Sequence, residues 1–136
     1  MPNEIKIAIH QTSASTSEAV IRQHKLLVDR PAVKGGADQG PMGGELFLAA
    51  IGGCFMSNLL AAIKGREAEV SDAHTEVIGT LAESPARFTS IELNVTARYS
   101  DREQFEKLVE IADRGCIMMN TLRGKLDIKV RIAALV

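Results

Sequence analysis

The chain has 136 residues, 46% hydrophobic and 24% charged, which suits one compact globular domain over residues 1–136 and leaves little room for two. Sixteen Lys and Arg against seventeen Asp and Glu give a formal net charge of -1, which excludes nucleic-acid binding driven by bulk positive charge. Trp is absent and Phe and Tyr are few, so an aromatic platform for stacking bases is excluded too.

The start, Met1-Pro-Asn-Glu-Ile-Lys, lacks the basic opening and apolar stretch of a secretory signal, so a cytoplasmic location is expected. Residues 4–10 place Ile5, Ile7 and Ile9 on one face with period two and read as a first strand. Thr12 to Ser17 is a small polar turn, and Ala19 to Asp29 reads as a second strand paired with the first. Arg30 to Gly44, with Pro31, Pro41 and repeated glycines, is a loop.

A helix is expected from about Gly44 to Arg66. Its stretch Leu46–Ile63 carries no charge and touches the lower limit for a membrane span. Adjacent glycines, Ser57, Asn58 and the charged residues at both ends argue against that, and a helix apolar on every side is usually buried in protein. A chain this short has limited material to surround it, so a second subunit is expected to help cover it. Gly52 and Gly53, each worth about 1 kcal/mol against Ala in a helix, are tolerable if another backbone approaches closely or Cys54 needs space.

Val70–Leu81 and Arg87–Ser100 form an expected hairpin around Glu83-Ser84-Pro85-Ala86. Ile91, Leu93, Val95, Ala97 and Tyr99 alternate with Glu92, Asn94, Thr96 and Arg98, giving one buried and one wet face. Ser100-Asp101-Arg102-Glu103 reads as a capping box for a helix with a Phe105, Leu108, Val109, Ala112 stripe. Gly115 ends it, and Leu126–Ile132 alternates as a last strand. The expected order is β-β-α-β-β-α-β, an α+β domain with mainly antiparallel pairing.

Cys54 and Cys116 carry the chemical question. No C-x-x-C occurs, and His10, His24 and His74 show no ligand spacing, so no metal site is expected. Each cysteine could be a small buried hydrophobe. Alternatively one thiolate attacks a substrate and the other resolves the product as a disulfide. Cys54 lies halfway along its helix, so the dipole alone helps it little and a cation from elsewhere is expected. Cys116, just past a helix end with Arg114 and Arg123 nearby, is expected in exposed, basic surroundings. Met56, Met118 and Met119 either line an apolar substrate pocket or fill the core.

Two stretches resemble the OsmC/Ohr family. Gly43-Gly-Glu-Leu-Phe-Leu-Ala-Ala-Ile-Gly-Gly-Cys54-Phe, after the loop Gly35–Pro41, is similar to that family's Gly/Pro loop and cysteine-bearing central helix. Ala112-Asp-Arg-Gly-Cys116-Ile-Met-Met-Asn-Thr-Leu-Arg123 is similar to its C-P-v-s-x-T-L region. The resemblance implies an OsmC-like fold and an intertwined homodimer whose central buried helices are wrapped by antiparallel sheets. It also implies a thiol peroxidase acting on organic hydroperoxides in oxidative stress defence, with sites built from both chains. Cys54 matches the peroxide-attacking cysteine and Cys116 the resolving one. A dithiol, lipoyl in the Ohr branch, is the implied reductant, with no metal or organic cofactor.

Two departures stand out. The family's glutamate ten residues before the attacking cysteine is Gly44 here. Glu45, one step later, is rotated by about 100° and lies about 13 Å along the axis from Cys54. The family's hairpin arginine has no counterpart in Gln11–Ser17, which leaves Arg22 and Arg30 as the nearest candidate supporting cations. A small-molecule-binding dimer without peroxide chemistry is the alternative, and a thiol-dependent transferase or hydrolase using Cys54 with His24 or His74 is a third reading.

Overall fold

The computed structural model describes residues 3–134; Met1 and Pro2, part of the start read above, and Leu135 and Val136 lie outside the described residues. The fold is mixed α+β, with two three-stranded sheets. The chain forms two compact units, one ending at Phe47 and one beginning at Leu48.

The first unit holds β1 (Ala8–Gln11), β2 (Ser17–Ile21) and β3 (His24–Val28) in an antiparallel sheet of that order. The first strand is shorter than its alternation suggests. Ala8 pairs with Val20 and β2 stops at Ile21, so the residues before Ile7 run past the end of their partner. Ile5 is accordingly 88% exposed. The expected second strand is two strands, because the chain turns back at Arg22-Gln23 and pairs Ile21 with His24. Arg22 takes the positive φ (56°) that two-residue hairpin turns require. Such turns usually announce themselves by Gly or Asn, and this one does not.

Asp29 organises the loop that follows. Its carboxylate accepts the Thr16 hydroxyl at 2.8 Å and the amides of Arg30, Ala37 and Gln39 at 2.7, 3.2 and 3.2 Å. A Cβ on Gly36 would lie 1.9 Å from the Arg30 carbonyl oxygen, so glycine there lets the loop fold back on itself.

Helix α1 (Gly43–Gly65) starts in the first unit and continues through the second. The second unit adds β4 (Val70–Ala82), β5 (Arg87–Tyr99), α2 (Arg102–Gly115), α3 (Ile117–Leu122) and β6 (Asp127–Ile132). Its core combines Ile51, Phe55, Leu59 and Ala62 of α1, Ile91, Leu93, Val95 and Ala97 of β5, and Phe105, Leu108, Val109 and Ala112 of α2. Fully burying a side chain such as Phe105 or Leu93 contributes about 1.5–3 kcal/mol. The alternation of β5 and the stripe of α2 therefore do what their spacing predicts. Helix α1 is long and apolar enough to cross a membrane, with mean hydropathy 2.0, yet its Ile51-Phe55-Leu59 stripe is core.

Three local expectations are corrected. Asp101, not Ser100, caps α2, accepting the Gln104 amide at 3.2 Å; its carboxylate is the stronger acceptor at a positively polarised helix start. A short helix, α3, follows Cys116 directly. Strand β6 pairs parallel to β5, Ile91 with Ile128 and Val95 with Ile132, because the intervening helices carry the chain back to its starting end.

The two mid-helix glycines of α1 differ. A Cβ on Gly52 would sit 2.7 Å from Val77 Cγ2, so glycine there admits β4 closely. Gly53 has no atom within 4 Å of a Cβ and is exposed.

Burial alone would raise the Asp29 carboxyl, but the Thr16 hydroxyl, the Arg30 and Gln39 amides and the Ser15 hydroxyl outweigh it and hold it at about 2, below the ordinary 3.8. The unfolded chain therefore binds this proton more readily, and the stability it confers is complete above about pH 4 and lost as pH falls towards 2. Asp29→Asn is expected to lower stability at neutral pH and to flatten the acid limb of a denaturant-unfolding series between pH 4 and 2. An unchanged acid limb would remove Asp29 from this role.

Candidate active site around Cys54 and Cys116

Cys54 stands on α1, one residue before the buried Phe55 and one after the exposed Gly53. That places it at the border of the core stripe, half-buried. Cys116 occupies a single-residue joint: it ends α2, donating its amide to Asp113 O at 3.3 Å, and precedes α3, accepting the Asn120 amide at 2.9 Å. Its backbone is extended (φ −79°, ψ 121°), and it is 0% exposed. The expectation of exposed, basic surroundings for Cys116 is thus corrected. Arg114 points away to Glu110 at 2.7 Å and Arg123 to Asp113 at 3.2 Å, while Ala112 and Met119 are buried beside Cys116 in sequence.

Both cysteines are free thiols, and the fold places them near enough for each to shift the other's titration. Burial pushes the Cys54 thiol up, but the Cys116 S–H and the amides of Met118 and Ile117 overcome it, leaving Cys54 below its ordinary value. For Cys116 the order is reversed: burial and the Cys54 sulfur push it up, and the amides of Met119 and Met118 pull back only in part. Of the two, Cys54 therefore gives up its proton the more readily. Backbone amides at the start of α3 supply stabilisation that sequence reasoning sought in a cation. That signal was hard to read, since backbone N–H groups are common to every residue but proline.

The flanks are mainly apolar. Asn58 lies one turn beyond Cys54 and donates to the Cys54 carbonyl at 3.2 Å, and Met56 accepts the Thr75 hydroxyl at 3.1 Å. Met119 is core, Met56 and Met118 are half-buried, and Ile117 is 68% exposed.

The candidate supporting residues have other local places. Glu45 accepts the Met42 amide at 2.8 Å and so closes the start of α1. Arg22 forms the β2–β3 turn. Arg30 lines a cleft of about 490 Å³ within the first unit, together with Ser15, Ser17, Lys34 and Gly44; neither cysteine belongs to it. His24 opens β3, and His74 is exposed on β4 opposite Thr96.

Comparison with known proteins bears on this arrangement. The family model described as OsmC-like protein matches residues 35–131, which include both cysteines. A sequence comparison with the curated proteins finds no match. Among solved structures, an OsmC-like protein from Mycoplasma pneumoniae superposes with a TM-score of 0.85 at 17% identity, covering 100% of both chains. An organic hydroperoxide resistance protein OsmC from Legionella pneumophila gives 0.74 at 21% identity, covering 97% of this chain and 98% of the other. The organic hydroperoxide resistance protein OhrB of Bacillus subtilis gives 0.70 at 22%, covering 94% and 96%. At these identities the likeness establishes the fold.

Proposed function

The chain belongs to the OsmC-like protein family, and from that membership and its paired sulfurs we propose that it is a cysteine-based thiol peroxidase reducing organic hydroperoxides in oxidative stress defence. The observation that carries this reading is the neighbouring pair of free thiols in which Cys54 is shifted down and Cys116 up. The names of the Legionella and Bacillus structures, which describe organic hydroperoxide resistance, support the same reading.

The chemistry runs in two steps. The Cys54 thiolate attacks the distal oxygen of the hydroperoxide; the O–O bond breaks, the alcohol departs once its alkoxide takes a proton, and Cys54 becomes a sulfenic acid. Cys116 then loses its proton and attacks Cys54 Sγ, water leaves, and a disulfide forms. A dithiol, lipoyl by family resemblance, returns two electrons and two protons. Neither metal nor organic cofactor has a part in these steps. No step is assigned to Arg22, Arg30 or Glu45.

The proposal includes a cytoplasmic homodimer made of single-domain chains of residues 1–136, with no nucleic-acid or membrane partner. Ala49, Gly53, Ser57, Ala61 and Gly65 follow one another every four residues along α1 and are all exposed. A row of small side chains lets a second helix come close. Gly53 costs about 1 kcal/mol in helix propensity and admits nothing within its own chain, as Gly52 does. A helix from a second copy gives it a reason. The small-molecule-binding dimer is the second reading, favoured by Gly44 and by the absence of arginine from Gln11–Ser17.

With a dithiol reductant, the protein is expected to consume cumene hydroperoxide, and Cys54→Ser to slow turnover by about a hundredfold or more, as loss of a nucleophile does. Wild-type turnover no faster than that of Cys54→Ser would defeat the peroxidase reading. For assembly, sedimentation at micromolar concentration is expected to give twice the chain mass, and Gly53→Leu to shift the population towards monomer. A monomeric wild-type protein would end the dimer proposal.

A further inference from the structure

We infer that the reductant enters the cycle at Cys54 in preference to Cys116, so that the mixed disulfide forms predominantly on the α1 cysteine. This rests on the reading that the two cysteines join as a disulfide. It concerns which sulfur is attacked afterwards, a choice that neither the family resemblance nor the pairing decides.

Access makes the choice. Cys116 is 0% exposed in the single chain, and a second subunit can only add cover. Its backbone is held on both sides, by the amide bond to Asp113 O and by the Asn120 amide. Turning its sulfur outward would therefore open the end of α2 and the start of α3 together. Cys54 is half-buried, and a hydroperoxide must reach it for the proposed chemistry to occur. The path that admits the peroxide admits the reductant, and it ends at Cys54.

Direction agrees with access. Thiol–disulfide exchange proceeds through a nearly linear array of attacking, central and leaving sulfurs. A thiolate arriving from solvent meets Cys54 first, with the buried Cys116 sulfur behind it as the leaving group. Attack on Cys116 would need a nucleophile inside the core formed by Ala112, Met119 and their neighbours.

Leaving-group chemistry pulls the other way. Cys54 is the more acidic thiol of the pair and the better leaving group, which favours attack on Cys116. Shielding of Cys116 outweighs that preference, because a sulfur that no reagent reaches does not react at any acidity. The departing Cys116 thiolate is still supported by the Met119 and Met118 amides.

The step balances as follows. One thiolate of the dithiol bonds to Cys54 Sγ, the Cys54–Cys116 bond breaks, and Cys116 leaves as a thiolate that takes up a proton. The second thiol, losing its proton, attacks its own partner sulfur. It releases Cys54 as a thiolate and the reductant as a cyclic disulfide, having delivered two electrons.

The test oxidises the full-length protein with diamide, so that the disulfide forms without any hydroperoxide. A short pulse of glutathione, an acid quench and N-ethylmaleimide labelling in denaturant then fix the products for peptide mass spectrometry. Glutathione on Cys54 with maleimide on Cys116 is expected to exceed the reverse arrangement by about tenfold or more. Equal amounts, or a majority of glutathione on Cys116, would overturn the inference, and so would failure of diamide to join the two cysteines. Hydroperoxide turnover is scored separately. A protein that opens its disulfide at Cys54 without consuming peroxide would sink the peroxidase reading and leave this one standing. As a second measure, Cys116→Ser is expected to take up glutathione from oxidised glutathione in the native state and Cys54→Ser only on unfolding; equal native rates would contradict the assignment.

Discussion

The contact between the Cys54 sulfur and the segment Cys116–Met118 is the interaction on which the site depends. A thiol on the border of an apolar core is driven towards its neutral form by burial. Here a neighbouring S–H and two backbone amides reverse that tendency. They can do so because α2 stops at Gly115, one extended residue intervenes, and α3 begins at once. A longer connection would carry the amides elsewhere, and a continuous helix would consume them in its own ladder. The core of α1, β5 and α2 holds both ends of the arrangement, so packing in the second unit fixes the chemistry.

This bears on the departures from the family pattern. Where an acidic partner and a hairpin arginine are expected, the chain has Gly44 and the arginine-free stretch Gln11–Ser17. It also has Ile117 where the resembling pattern has proline. An isoleucine keeps a backbone N–H at that place, and this N–H is one of the donors to Cys54. Thiolate stabilisation can thus come from fixed dipoles that need no charged side chain and no desolvated ion pair.

Much of the fold was legible where one-sided burial imposes a period. Ile91, Leu93, Val95 and Ala97 alternate because a sheet face is packed, and Phe105, Leu108, Val109 and Ala112 recur because a helix stripe is packed. The rest depended on events without a side-chain signature. The Arg22-Gln23 turn lacks the usual turn residues, and alternation in β6 is the same whichever way the strand runs. The pairing of Cys54 with Cys116 was suggested by motif resemblance, whereas the burial of Cys116 was not: Arg114 and Arg123 implied a basic, open setting until Glu110 and Asp113 were found to occupy them. Helix α3, and with it the source of the amides, was hidden because six residues are too few to establish a helical period.

The central claim is that backbone amides lower the Cys54 thiol below its ordinary value, and Ile117→Pro isolates it. Proline fits the first residue of a helix, the extended Cys116 before it is compatible with a following proline, and the side chain at 117 is mostly exposed. The change therefore deletes one N–H and little else. The measurement is the rate of Cys54 alkylation by iodoacetamide as a function of pH, read by peptide mass spectrometry in the folded protein. The account predicts that the titration moves to higher pH than in the wild type, with slower alkylation at neutral pH. A titration that stays in place, in a protein folded to the same stability, would contradict it.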